Sequence, residues 1–151
     1  MAAIAAAMVL AGCEDATTGS EETLTFSELD SESRFAQIGK YSRSRNAPPG
    51  SGFSLSIPLQ ESSGTETVGE INAVCIATRP GAQEPNLQGT CSGMADVPNG
   101  QLALSVGGEI AQDVTGAIVG GTGKYEGATG TFTSKSLGGK ETIDTFNVTL
   151  P

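Results

Sequence analysis

The chain has 151 residues, 17 acidic against 8 basic side chains, a net charge of -9 and no histidine. That length suggests one domain. The sign of the charge excludes a nucleic-acid partner, which needs a positive field to displace counterions from phosphate. The missing imidazole excludes Ser-His-Asp and Cys-His catalysis and the common histidine zinc sites. Proton transfer is left to carboxylates, Tyr, Lys, Cys or water, and neither a metal nor a cofactor is expected.

Residues 2–11 are almost wholly apolar and small. They are too few to span a bilayer and read as the core of a signal peptide. The run ends Leu10-Ala11-Gly12-Cys13, which resembles a bacterial lipobox. The Cys13 thiol would receive a diacylglycerol and the chain would be cut before it. An ordinary secretory signal with an incidental Cys, or a buried N-terminal helix, is the alternative. The division expected is a lipoprotein signal peptide over 1–12, a lipidated Cys and flexible tether over 13–23, and a folded domain over 24–151. The expected place is the bacterial cell envelope, lipid-anchored or secreted. An acidic surface disfavours docking onto anionic lipid, so the membrane would be met through the N-terminal lipid only. The tether sequence Glu14-Asp15-Ala16-Thr17-Thr18-Gly19 is polar and without periodicity.

Beyond the tether the hydrophobic period is two. Phe53, Leu55, Ile57 and Leu59 alternate with Ser54, Ser56, Pro58 and Gln60, and Leu102, Leu104 and Val106 alternate with Gln101, Ala103 and Ser105. Pro58 marks an edge or a bulge. Strands are predicted over 24–29, 53–60, 68–78, 88–96, 101–107, 113–119, 129–136 and 142–150. Turns are predicted at Ser63-Gly64, Pro80-Gly81, Asn99-Gly100, from Gly120 to Gly123, and at Gly138-Gly139. A short helix is predicted over 31–38, and residues 40–52, which hold Arg43 and Arg45, read as a solvated loop. The fold class expected is all-β: an eight-stranded antiparallel up-and-down β-barrel of lipocalin-like architecture, with a sandwich as the alternative.

Residues 117–130 read Ala-Ile-Val-Gly-Gly-Thr-Gly-Lys-Tyr-Glu-Gly-Ala-Thr-Gly. A P-loop would need Gly at 118, where Ile stands, and Ser or Thr at 125, where Tyr stands. A dinucleotide fingerprint would need Gly at 126, where Glu stands. Both phosphate-binding patterns fail on spacing, so Gly120, Gly121, Gly123, Gly127 and Gly130 are assigned a structural role. The segment resembles the signature turn of the allene oxide cyclase and dirigent barrels, in which Tyr125 and Ala128 would pack under the turn. The resemblance implies an eight-stranded barrel holding an apolar small molecule, a homotrimer, and catalysis mainly by orientation. Allene oxide cyclases have a Tyr at the position that is Ile110 here, and no equivalent of their early-strand Asn is found near 53–59. Their Cys in the third strand has a counterpart in Cys75.

Cys75 and Cys91 fall on neighbouring predicted strands, and an antiparallel hairpin in an oxidising compartment would join them as a disulfide. Glu70, Asn72, Arg79, Asp96, Glu109 and Asp113 lie on or beside strands. Glu70 and Asn72 share one face and are the candidate catalytic pair, as a carboxylate inside an apolar barrel would have a raised pKa. Each of these charged groups could equally be strand-end polarity facing water. The function expected is an exported lipoprotein whose barrel binds an apolar small molecule and steers its cyclisation or isomerisation. The alternative is a non-catalytic lipophilic-ligand-binding or structural surface lipoprotein. With only 5% aromatic residues, the barrel is expected to leave an apolar cavity, and a long-chain unsaturated fatty acid is a candidate occupant.

Overall fold

A computed structural model describes residues 19–41, 47–80, 87–110, 113–138 and 141–151, with Asp30 set aside. The signal, the Cys13 site and most of the tether lie outside the described residues, as do Arg43 and Arg45.

Nine strands form one antiparallel sheet: β1 (Glu21–Leu29), β2 (Arg34–Ile38), β3 (Gly52–Glu61), β4 (Thr67–Pro80), β5 (Leu87–Val97), β6 (Gly100–Ile110), β7 (Val114–Gly123), β8 (Thr129–Ser136) and β9 (Glu141–Thr149). The order is β1-β9-β8-β7-β6-β5-β4-β3-β2, and a further β1–β3 pairing closes eight of them into a barrel. The eight-stranded antiparallel barrel is therefore as expected. The 31–38 segment is the exception: it is a strand, β2, where the sequence suggests a helix. Its one-turn apolar spacing is outweighed by the free edge of β3, whose residues 52–56 it pairs.

The closure is short. β1 meets β3 only at Phe26↔Glu61 and Ser27↔Gln60, while β2 pairs β3 at 52–56. Residues 57–59 of β3 lie in the gap between the two. Pro58 stands in that gap, where the backbone on that side has no partner strand to lose. The register of β3 against β4 shifts just beyond, between Leu59 and Gln60.

The two ends of the barrel differ. At the closed end, the hairpin loop Pro98–Asn99 takes Asn99 to φ 74°, and the Asn99 carbonyl accepts the Lys124 N–H at 3.0 Å. Tyr125 and Ala128 are buried beneath this corner, and the Tyr125 hydroxyl donates to the Pro98 carbonyl at 3.2 Å. That is the packing expected of the signature segment. The reversal itself lies later than expected. Gly120 and Gly121 are inside β7, paired with Ala103 and Leu102, and the chain turns over 124–127. The glycines at 123 and 127 carry the positive φ values, 63° and 73°. At the opposite end, called the open end below because several inward side chains there are only half-buried, Tyr41 and Ala47 pack with Phe53, Ala77 and Ile110 among the described residues.

Candidate functional site

Strand parity sorts the side chains into an inner and an outer set. On β1, β9, β8 and β7 the inner set forms layers across the wall. Leu24, Phe146, Phe132 and Gly116 make one layer. Phe26, Asp144, Ser134 and Val114 make the next toward the open end, and Glu28, Thr142 and Ser136 make the last. On the opposite wall the inner set includes Leu55, Ile57, Ile71, Ala73, Cys75, Cys91, Ala95 and Leu104.

Phe26, Phe53, Phe132 and Phe146 point inward, whereas Phe35, on the same parity of β2, is exposed, so a low aromatic content does not mean an interior without rings. Phe26 meets Phe146 edge-on at 5.9 Å between centroids, and Phe132 meets Phe146 at 5.0 Å. The closed half is thus filled by Leu59, Leu102, Ile118, Tyr125, Phe146 and Val148. Toward the open end the inner residues change character. Phe53, Ile110, Val114, Ser134, Ser136 and Thr142 point inward but are only half-buried, so they keep surface that a small molecule could cover.

Asp144 lies one layer below that rim and is 1% exposed. Burial pushes its carboxyl up to about 6, while the Ser134 hydroxyl across the strand pair pulls the other way. Ser134 makes no well-aligned hydrogen bond to it: both carboxylate oxygens are buried without a partner among the described residues. Glu28, on the inner face of the neighbouring strand, is 7% exposed. The register puts Glu28 opposite Thr142, diagonal to Asp144. An acid near the middle of the pH scale, beside aromatic rings and under an open rim, can hold or release a proton near neutrality.

The expected catalytic pair is placed elsewhere. Glu70 and Asn72 stand on the outer face, with Glu70 accepting from the Ser56 hydroxyl and Asn72 exposed. The reason is legible in β4. Val74 and Ile76 are apolar on the outer parity, so apolar residues occur on both faces and the alternation does not mark the inside. Asp96 accepts from the Gln101 amide at 2.6 Å on the same outer face. Arg79 is turned outward by a register shift after Ala77, Glu109 is exposed on the outer parity, and Asp113 accepts the Ser136 N–H at 3.1 Å. Ile110, at the family's Tyr position, faces the open rim.

Asn72 instead borders a shallow external groove of about 450 Å³ across β2–β5. One bank is Arg34, Ser56, Asn72 and Met94, the other Ala36, Ser54, Val74 and Ser92. It is open and built mostly of small side chains. The expected disulfide is present: Cys75 and Cys91 are directly opposed, with Cα atoms 4.0 Å apart, inside the wall. Neither is a free thiol.

Asp144 and Glu28 escaped the sequence reading although a signal existed. Asp144 shares its parity with Phe146 and Val148, and Glu28 with Leu24 and Phe26. An acid on the apolar phase of an alternating strand is the mark of an inward carboxylate.

These features define a closed antiparallel barrel with an acidic group under one open end, the fold of the dirigent and cyclase-type barrels. Among solved structures, a pyocyanin demethylase superposes with a TM-score of 0.66 at 19% identity, covering 85% of this chain and 99% of that one. A pterocarpan synthase dirigent protein gives 0.60 at 17% identity, covering 87% and 89%. A Diels–Alderase from Streptomyces koyangensis gives 0.60 at 11% identity, covering 89% and 71%. No protein-family model and no curated protein matches the chain.

Proposed function

We propose that the open end of the barrel binds an apolar small molecule and orients it for a cyclisation or isomerisation in which Asp144 holds or transfers a proton. The observation that carries this reading is the Asp144 carboxyl, buried beside phenylalanines and raised to about 6 beneath a half-exposed rim of Phe53, Ile110, Val114 and three hydroxyl side chains. A carboxylate at that position stabilises nothing in the folded state. Its presence on an apolar strand phase is better explained by chemistry than by packing. The barrel would supply orientation, which lowers the entropic barrier to a folded, cyclising geometry, and Asp144 the acid–base step. The superposed barrels include one named as a dirigent pterocarpan synthase and one as a Diels–Alderase, which supports a steering role for the same fold here. A non-catalytic carrier of a neutral molecule would need the rim but not the acid, so for a neutral ligand the inward carboxylates favour the catalytic reading.

We further propose that the protein is an envelope lipoprotein anchored at Cys13, with the disulfide consistent with an oxidising compartment, and that it assembles as a homotrimer.

The test is binding of an environment-sensitive neutral apolar dye to the purified protein. Saturable one-to-one binding that survives Asp144→Asn is expected, because orientation rests on the apolar rim. Absence of saturable binding would remove the site.

A further inference from the structure

The inner face carries charge of one sign only. Glu22, Glu28 and Asp144, with Glu61 opposite Phe26 at the seam, are its ionisable strand groups among the described residues, and no Lys or Arg stands on that parity. Glu22 is matched at the closed end by Lys124, whose ammonium lies 2.6 Å from its carboxylate. The basic side chains of the described strands point away. Arg34 pairs beside Ser56 and Lys135 beside Ile143 on the outer face, and Arg79 pairs with Gln88 beyond its register shift. Among the described residues no cation on the inner face therefore answers Asp144, whose two oxygens are buried and without a well-aligned hydrogen bond there. Phe26 stands opposite Asp144 and Phe146 two residues along β9, and the Phe26 and Phe132 rings both pack on Phe146.

We infer that the ligand of the open end carries a positive charge on an apolar body, as an amine or an aromatic nitrogen cation does. This rests on the reading that the open end is a ligand site, and it replaces the fatty acid that the resemblance suggests. A buried carboxylate is costly unless a counter-charge reaches it, and a ligand cation would supply that partner. Aromatic faces add an attraction for cations that they do not offer to neutral or anionic groups. A fatty-acid carboxylate entering the same space would meet Glu28 and Asp144 as like charges. The groups facing Asp144 from the strands packed beside it are Phe26 and Glu28 on β1 and Ser134 on β8, so Glu28 is the one other titrating group on those neighbours.

Three naphthalenes of near-equal size test this: one with an aminomethyl, one with a hydroxymethyl and one with a carboxylate substituent. Titrated into the whole protein at mildly alkaline pH, the ammonium compound is expected to bind about tenfold or more tighter than the alcohol. The carboxylate is expected to bind weakest. The preference of ammonium over alcohol should shrink as the pH falls through the Asp144 range, a measurement that needs no variant. It should also vanish in Asp144→Asn. Equal binding of ammonium and alcohol, or tightest binding of the carboxylate, would overturn the inference while leaving the binding site standing. Failure of all three to bind would overturn the site and the inference together.

Discussion

Asp144 gives the fold a pH dependence that one side chain can test. Its carboxyl is raised from 3.8 to about 6 by burial. The folded state therefore favours the protonated acid, and the unfolded chain ionises first. Stability is fully present below pH 3.8, declines as the pH climbs from there toward about 6, and stays at the lower level above that. The difference between those two values corresponds to about 3 kcal/mol. Asp144→Asn should accordingly raise the melting temperature at neutral pH and flatten the profile across this window. A wild-type profile that rises from pH 4 to 7, with the same slope in the variant, would show that Asp144 is not the buried acid described. Glycine is tested at the same scale by two neighbouring positions. Gly123 has φ 63°, and a Cβ there would approach the Asn99 carbonyl to 2.6 Å, whereas at Gly120 a Cβ meets nothing within 4 Å. Gly123→Val should cost about 1–3 kcal/mol, and Gly120→Ala should change stability by about 0.5 kcal/mol or less. Equal effects in chemical denaturation would mean that the turn is not where the positive φ is.

Strands with one apolar phase were legible from the sequence almost to their ends. β8 is predicted over 129–136 and runs Thr129–Ser136, and β6 is predicted over 101–107 and extends to Ile110. Pro58 announced an irregularity that the gap between β1 and β2 explains. What could not be read was anything set by a distant partner. β2 exists because β3 offers it an edge. The face of β4 is decided by its neighbours, because its own apolar residues occupy both phases. That ambiguity is why Glu70 and Asn72 read as inward and lie outside, while the inward acids stand on β1 and β9, where Leu24, Phe26, Phe146 and Val148 mark the inner phase. The β4–β5 hairpin makes a further prediction. Its disulfide spans a sequence separation of 16, for which loop-closure entropy alone gives about 3 kcal/mol. Replacing both Cys75 and Cys91 by Ala should lower unfolding free energy by that order. Loss of only a few tenths would mean that the reduced hairpin is held as firmly by its ladder as by the bond.

At the scale of the molecule, the proposed lipid anchor at Cys13 is tested by the mature N-terminus. Mass spectrometry of the protein from its native membrane should show a diacylglyceryl group on Cys13 at the mature N-terminus, and a mature form cut elsewhere would remove the anchor. The proposed ligand enters the barrel at the open end and does not lie in the external groove. Val114 is inward and half-buried at that end, paired beside Ser134, whereas Val74 is 43% exposed on a bank of the groove. The deciding measurement is neutral-dye affinity in Val114→Trp and Val74→Asp, each checked for folding by circular dichroism. Binding abolished by Val114→Trp and unchanged by Val74→Asp is the result the account predicts. Binding that survives Val114→Trp and is lost in Val74→Asp would place the site on the outer groove and contradict it.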